Sequence, residues 1–339
     1  MTNKPVTRIL VVAPSWIGDT VFAQPLFHLL HRYHQGLKLD VLASPYLRPL
    51  LEHMPEVQSI IDNPFAHGDL RFGDRRRLGV MLRERNFDQA IVLPNSRKSA
   101  LVPFLAKIPL RTGYVGEMRY GLLNDARRLD EVTLPTMVDR YAFLAEPPGK
   151  TLARPVPPPS LRVGSADLDA VLRKFGLDTN RPVTIFCPGA EYGPARRWPA
   201  EHFGELAKSI VGEGNQVWLL GSPKDREIAD QVKTASGGIC RNLAGETNLT
   251  DAIRLLAAAN LVVSNDTGLL HLASALNRPV VALYGSTAPG LAPPYSDRSA
   301  SVSLNLSCSP CRQRVCPLGH FNCMKQLTPE RVENRIKSM

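Results

Sequence analysis

The chain has 339 residues, 44% of them apolar and 21% charged, with a formal net charge of +10. At ~150 residues per domain that length points to two domains. The composition excludes a disordered or fibrous protein, and the absence of an apolar run near the ~20 residues of a spanning helix excludes a membrane-spanning one.

The positive balance calls for an anionic partner, which the charge alone leaves open among nucleic acid, an anionic membrane surface and a phosphorylated substrate. The N-terminal MTNKPVTRILVVAPSW has only a short apolar stretch before Pro14 and no small-residue cleavage site. It lacks the layout of a signal peptide, and a cytoplasmic protein is expected.

RILVVAP, Arg8 to Pro14, is a β-branched apolar run and reads as a strand buried on both faces of a parallel sheet. The turn SWIGD leads into TVFAQPLFHLLHRYH, whose apolar residues recur at helical spacing. The alternation continues with strand KLDVLAS, helix YLRPLLEHM, strand VQSIID, helix RRRLGVMLRERN, strand FDQAIVLP and helix SALVPFLAKI. From about Glu146 to Gly164 the text becomes EPPGKTLARPVPPPSLRVG, too rich in proline for either regular element. We place the domain boundary there, giving domains 1–160 and 161–339.

A second alternation follows: helix ADLDAVLRKFG, strand PVTIFCPG, helix AEHFGELAKSIVGEG, strand QVWLLGS and helix KDREIADQVKTA. Helix LTDAIRLLAAA, strand NLVVSND, helix GLLHLASAL and strand PVVALYG complete it, and the terminal TPERVENRIKSM reads as a capped helix packing back against the first domain. The fold expected is α/β: two Rossmann-like, doubly wound domains facing each other across a cleft at the carboxyl ends of their sheets.

Four strand-to-helix junctions of the second half carry glycine, small hydroxyls and charge: CPGAEYGPARRWP, LLGSPKDRE, NLAGETNLT and SNDTGLLH. In the last, a helix opens directly after a strand, so its free N–H groups and positive dipole end form an anion site. Gly268 admits close backbone approach, Thr267 adds a hydroxyl, and His271 lies one turn in. Asp266 and Thr267 serve equally well as ordinary helix caps, and His271 as a core histidine. Arg196 and Arg197, on a loop opening with Pro188 and Gly189, suit bidentate binding of a diphosphate. After LLG, Ser222 and Asp225 stand where an acid can take a ribose hydroxyl or start the next helix.

No G-x-G-x-x-G follows the first strand of either half, and Gly212 and Gly214 in VGEGNQ sit at the wrong junction for one, which disfavours a dinucleotide-dependent oxidoreductase. In the first half, PSWIGD sets Asp19 at a helix start, either as a general base toward a substrate hydroxyl or as an acid favoured there by the dipole. Arg71, Arg75, Arg76, Arg77, Arg83, Arg85, Arg97, Lys98, Lys107, Arg111 and Arg119 suggest a basic face for a multiply phosphorylated acceptor. No nucleic-acid module is readable, so no nucleic-acid partner is expected. Cys308, Cys311, Cys316 and Cys323 have a spacing like that of structural zinc ligands, with His320 able to replace one, and free thiols as the alternative. Cys187 and Cys240 read as ordinary buried or loop cysteines.

ILVVAPSWIGDTVFAQPLF, RPLLEHMPEV, VLPNSRKSALVPFLAKIPLRTGYVGEMRYGLLNDARRLD, CPGAEYGPARRWP, LLGSPKDREIAD and SNDTGLLHLASALNRPVVALYGS together resemble the lipopolysaccharide heptosyltransferases, over nearly the whole chain to about Tyr295. The resemblance implies a GT-B fold, ADP-heptose as donor bound by the second domain, and inverting transfer of L-glycero-D-manno-heptose onto the first heptose of heptosyl-Kdo2-lipid A. It implies Asp19 as catalytic base, with Thr267, Gly268 and His271 in the donor-diphosphate loop and no cofactor. Acceptor contacts fall to Asn95, Ser96 and Lys98, and to Glu117 and Arg119 in GEMRYGLLND. Arg196 stands where many members carry lysine before RWP, and the cysteine-rich tail after Ser307 departs from part of the family. The basic first domain would rest peripherally on the anionic inner face of the cytoplasmic membrane. The alternatives are another core heptosyltransferase, a GT-B sugar-nucleotide enzyme such as a 2-epimerase, or a non-catalytic anion- or lipid-A-binding protein.

Overall fold

The structure, a computed structural model, describes residues 6–66 and 68–339; Met1–Pro5 of the N-terminal stretch read above lie outside it. It divides into two compact units, Met1–Pro159 and Ser160–Met339, with the division inside the proline-rich stretch.

The first unit holds β1 (Arg8–Val12), β2 (Lys38–Ala43), β3 (Ser59–Asp62), β4 (Gln89–Val92), β5 (Leu110–Tyr114) and β6 (Asp125–Arg127), all parallel, in the order β3-β2-β1-β4-β5-β6. Val11 is in register with Val41 on one side and Ile91 on the other, and all three are 0% exposed. A strand covered on both faces is lined mostly by apolar side chains, which is why β1 and β4 carry the runs ILVV and AIV, while the buried Gln89 of β4 is satisfied by donating Nε2–H to Thr112 Oγ1 at 2.9 Å. Helix Ile17–Tyr33 leaves the end of β1 and packs beside Met137–Ala142, while Phe72–Leu82 packs beside Leu101–Leu105.

The second unit holds β7 (Val183–Cys187), β8 (Gln216–Leu219), β9 (Arg241–Asn242), β10 (Leu261–Asn265), β11 (Val280–Leu283) and β12 (Ser299–Val302), also parallel, in the order β12-β11-β10-β7-β8-β9. Read from the β9 edge, this is the strand order of the first sheet. The order reverses between β1 and β4 and between β7 and β10, and the loops leaving those four strands open at their carboxyl ends.

β5, β6, β9 and β12 are absent from the sequence reading. The terminal helix Pro329–Lys337 forms as expected, with Thr328 Oγ1 accepting from Arg331 N, but Val332 and Ile336 join the core cluster of the second unit rather than the first. Among the described residues, no helix is long and apolar enough to cross a membrane.

Candidate active site

At the switch point of the second sheet, Asn265 is fully buried and ties the two loops together. Its Nδ2 donates to Pro188 O at 2.8 Å, and its Oδ1 accepts from Trp198 N at 3.1 Å. Trp198 is 0% exposed, donates Nε1–H to Leu327 O at 2.6 Å and sets its ring edge against Phe203. That anchor fixes the preceding pair, Arg196 and Arg197.

Helix Gly268–Ala275 starts directly after β10. Its N-cap residue Thr267 makes no side-chain cap hydrogen bond, and its Oγ1 lies 3.4 Å from Ser264 Oγ. Asp266 is occupied elsewhere: Oδ2 accepts from Arg196 Nη1 at 3.0 Å and from Thr287 Oγ1 at 2.7 Å, and Oδ1 lies 3.5 Å from His271 Nε2. Of the two uses left open by the sequence, side-chain capping is not the one made, and the first helical turn keeps its anion-attracting end. Burial alone would raise the Asp266 pKa. Hydrogen bonding by His271, the charge of Arg196 and the Thr287 hydroxyl hold it below the usual carboxylate range. The ionised carboxylate thus faces Arg196 and His271 and orients both.

Arg196 also lies over the Tyr192 ring, 4.3 Å from its centroid. The Nε atoms of Arg196 and Arg197 and the Oγ of Ser286, a residue 1% exposed, are buried without a hydrogen-bond partner among the described residues. Each such atom costs ~1–3 kcal/mol unless a ligand meets it. Ser286 and Thr287 escaped the sequence reading, although GST directly after the strand PVVALY repeats the strand, glycine and hydroxyl pattern of the other junctions.

Ser222 and Asp225 turn to each other: Ser222 N and Oγ donate to Asp225 Oδ2 at 2.9 and 2.7 Å. The Asp225 carboxylate is buried across two glycines. A Cβ at Gly189 would lie 2.3 Å from Asp225 Cγ, and one at Gly221 would lie 2.7 Å from Asp225 Cβ. Ser222, Asp225 and Gly189 thus form one packing unit that joins the loops after β7 and β8.

In the first unit, Asp19 is the third residue of helix Ile17–Tyr33, half-buried at the end of β1, and the N-cap Trp16 makes no side-chain cap bond. Burial, together with the charge of Asp19, holds the phenol of Tyr141 well above its usual range. Beside it in the sheet, the loops after β4 and β5 bring together Asn95, Ser96, Lys98, Glu117 and Arg119.

Arg119 is 2% exposed and donates through Nε and Nη2 to Tyr114 O, through Nη2 to Asn95 Oδ1, and through Nη1 to Pro94 O, Ser96 O and Ser99 Oγ. With all its donors engaged it braces the loops around it. Burial lowers its pKa to about 10, still charged at neutral pH. Glu117 Oε2 accepts from Arg97 N at 2.7 Å, Ser96 Oγ from Ser99 N at 3.3 Å, and Lys98 Nζ donates to Gly68 O.

The basic face is thinner than the sequence suggests. Arg75 is 6% exposed, donates to the carbonyls of Asp69, Leu70 and Lys98 and lies 4.0 Å from the Phe65 centroid. Arg83 and Arg111 likewise hold carbonyls, and Arg71, Arg77 and Arg85 pair with Asp74 and Asp40. Arg76, Arg97 and Lys107 remain exposed. Cys308, Cys311, Cys316, Cys323 and His320 line one small cavity, while Cys187 is fully buried and burial pushes its thiol up to about 12.

The profile of glycosyltransferase family 9 (heptosyltransferase) matches residues 75–322. The chain is 46% identical to lipopolysaccharide heptosyltransferase 2 of Salmonella typhimurium and of Escherichia coli K12, over 98% of this chain and 98% of each relative. The solved structure of E. coli ADP-heptose lipopolysaccharide heptosyltransferase II superposes with a TM-score of 0.89, at 44% identity over 98% of both chains. A family 9 glycosyltransferase from Veillonella parvula, 19% identical, shares the fold with a TM-score of 0.87 over 99% of this chain and 97% of that one. The α/β architecture is thus the GT-B one expected from the sequence, and the chain belongs to glycosyltransferase family 9, the heptosyltransferases.

Proposed function

We propose that the chain transfers L-glycero-D-manno-heptose from ADP-heptose, with inversion, onto the first heptose of the lipopolysaccharide inner core, heptosyl-Kdo2-lipid A. One observation carries the donor half: a helix N-terminus without a side-chain cap, beside a guanidinium that Asp266 holds in place and that keeps a buried, unbonded Nε. The relatives named lipopolysaccharide heptosyltransferase 2, matched over nearly their whole length, support the choice of donor and acceptor.

In this reading Asp19 takes the proton from an acceptor hydroxyl, whose oxygen attacks the anomeric carbon opposite ADP. The charge growing on the leaving diphosphate is met by the first turn of Gly268–Ala275, by Thr267, and by Arg196 and Arg197, with His271 held at the same helix end. These protein groups neutralise the leaving group, and the reading gives no catalytic role to a metal. Asn95, Ser96 and Lys98, on loops braced by Arg119 and Glu117, would meet the acceptor. Exposed Arg76, Arg97 and Lys107 would meet core phosphates or an anionic membrane surface at the cytoplasmic face, as a peripheral contact.

The test is ADP release from ADP-heptose with heptosyl-Kdo2-lipid A, comparing the unmodified protein with Asp19→Asn. Acceptor-dependent release that collapses in the variant is expected. Absence of release from folded protein overturns the donor and acceptor assignment.

A further inference from the structure

Residues 303–321 run without a helix or a strand, a length that compact domains rarely leave unsupported. Asn305, Arg312 and Phe321 hold positive φ within or at the end of this stretch, conformations that need to be imposed by surrounding contacts. Apolar burial supplies little of that support: Val315 and Leu318 are 59% and 62% exposed. What the segment brings together instead is sulfur. Cys308, Cys311, Cys316 and Cys323 are all free thiols, and with His320 they line a cavity of about 20 Å³. A site of ~10–15 Å³ already admits a water molecule, so this one admits a metal ion.

The sulfurs are arranged for thiolate chemistry. Amides of Phe321, Leu318, His320 and Gly319 face the Cys316 sulfur. Cys323, partly buried, faces the sulfurs of Cys308, Cys311 and Cys316. Cys316 Sγ lies 4.0 Å from His320 Nδ1, and that nitrogen accepts from Asn322 N at 3.0 Å. Among the described residues, no three His, Cys, Asp or Glu side chains already stand in a coordination arrangement.

We propose that Cys308, Cys311, Cys316 and Cys323 form a tetrathiolate zinc site that clamps the 303–323 segment against the loops after β7 and β11. Four thiolates are the ligand set of structural zinc. The clamped segment carries its own grips. Arg312 N donates to Ser286 O at 2.7 Å, Tyr192 Oη donates to Arg312 O at 3.1 Å, and Ala195 N donates to Arg314 O at 3.1 Å. Arg314 also lies over the same Tyr192 ring as Arg196. The backbone approaches so closely that a Cβ at Gly193 would fall 2.4 Å from Arg314 O, and one at Gly285 would fall 3.1 Å from Cys323 Sγ. The metal would thus set the positions of Tyr192, Arg196 and Ser286.

The test is metal analysis of the full chain, purified under reducing conditions without chelator, read by mass spectrometry of the metal and by the sulfur-to-cobalt charge-transfer band after cobalt replacement. One zinc per chain is expected, lost in a Cys308→Ser/Cys311→Ser variant and retained in Cys240→Ala. Removal of zinc with a strong chelator lowers the melting temperature of the unmodified protein and not that of the double serine variant. Folded protein with no stoichiometric zinc, zinc that survives the double substitution, iron in its place, or disulfides between these cysteines each overturns the proposal. Metal content and melting temperature do not depend on the donor reading; ADP affinity, measured separately, should weaken several-fold on zinc removal if both hold.

Discussion

The two sheets have one strand order, yet their switch-point loops use charge in opposite ways. In the first unit Arg119 is sealed inside, every donor turned to a carbonyl or side-chain oxygen of the loops around it. In the second, Arg196 is held by Asp266 through one nitrogen and keeps another buried and unbonded. A buried guanidinium whose bonds are all internal serves as a frame, and one whose bonds are incomplete is prepared for a ligand. The fold sets where loops open; how fully their polar atoms are satisfied separates framework from site.

That contrast is broken most severely at Asp19. Asp19→Asn should lower acceptor-dependent ADP release by roughly 10³-fold while ADP binding, measured by calorimetry, stays unchanged. Arg119→Ala should cost on the order of 3 kcal/mol in urea unfolding, because it strands several buried carbonyls, and Arg119→Lys should recover little, since an ammonium cannot reproduce the planar fork. Gly189→Ala should cost about 2 kcal/mol by driving a methyl into Asp225, with Asp225→Ser in the same chain restoring part of it.

Arg196→Ala should weaken ADP roughly tenfold, the ~1.5 kcal/mol of one charge-assisted hydrogen bond, and should also lower the unfolding free energy, because the buried Asp266 loses its cation. The smallest effect is on pH dependence. A carboxyl whose folded pKa is depressed stabilises the fold above its ordinary value of 3.8 and loses that contribution as pH falls through the folded value. Unfolding midpoints taken from about pH 5 down to about pH 3 should therefore fall less steeply in Asp266→Asn than in the unmodified chain.

Much of the framework was legible because strands buried on both faces are apolar over most of their length, as VTIFC and LVVSN are apart from the buried Thr184, Ser264 and Asn265. The strands that escaped notice are those where this constraint lapses. β6 is DAR and β9 is two residues, both at sheet edges, while β5 opens with the half-buried Leu110 and Arg111. Among site residues, Asp19 and the Asp266–His271 turn follow directly from a strand ending in a helix start. The bracing role of Arg119 was not legible, since an arginine in text reads as surface charge until its carbonyl partners, 5 to 25 residues away, are known. Ser286 carried a local signal in the GST that follows PVVALY, whereas Arg314 owes its place to contacts with the distant Tyr192 and Ala195, which no local spacing reports.

The interlock of Gly189, Gly221 and Asp225 also constrains how this enzyme can change by descent. Neither glycine can acquire a side chain while the carboxylate lies across it, and Asp225 cannot shrink without leaving Ser222 unbonded and a gap over two backbones. Mutational paths through these positions are consequently ordered. Relief at 225 has to come first, and a lineage that takes that step loses the turn geometry before it gains any new side chain at 189 or 221. Three positions more than thirty residues apart at their extremes should therefore drift together or not at all, and the loops they join should diverge more slowly than the surface around them.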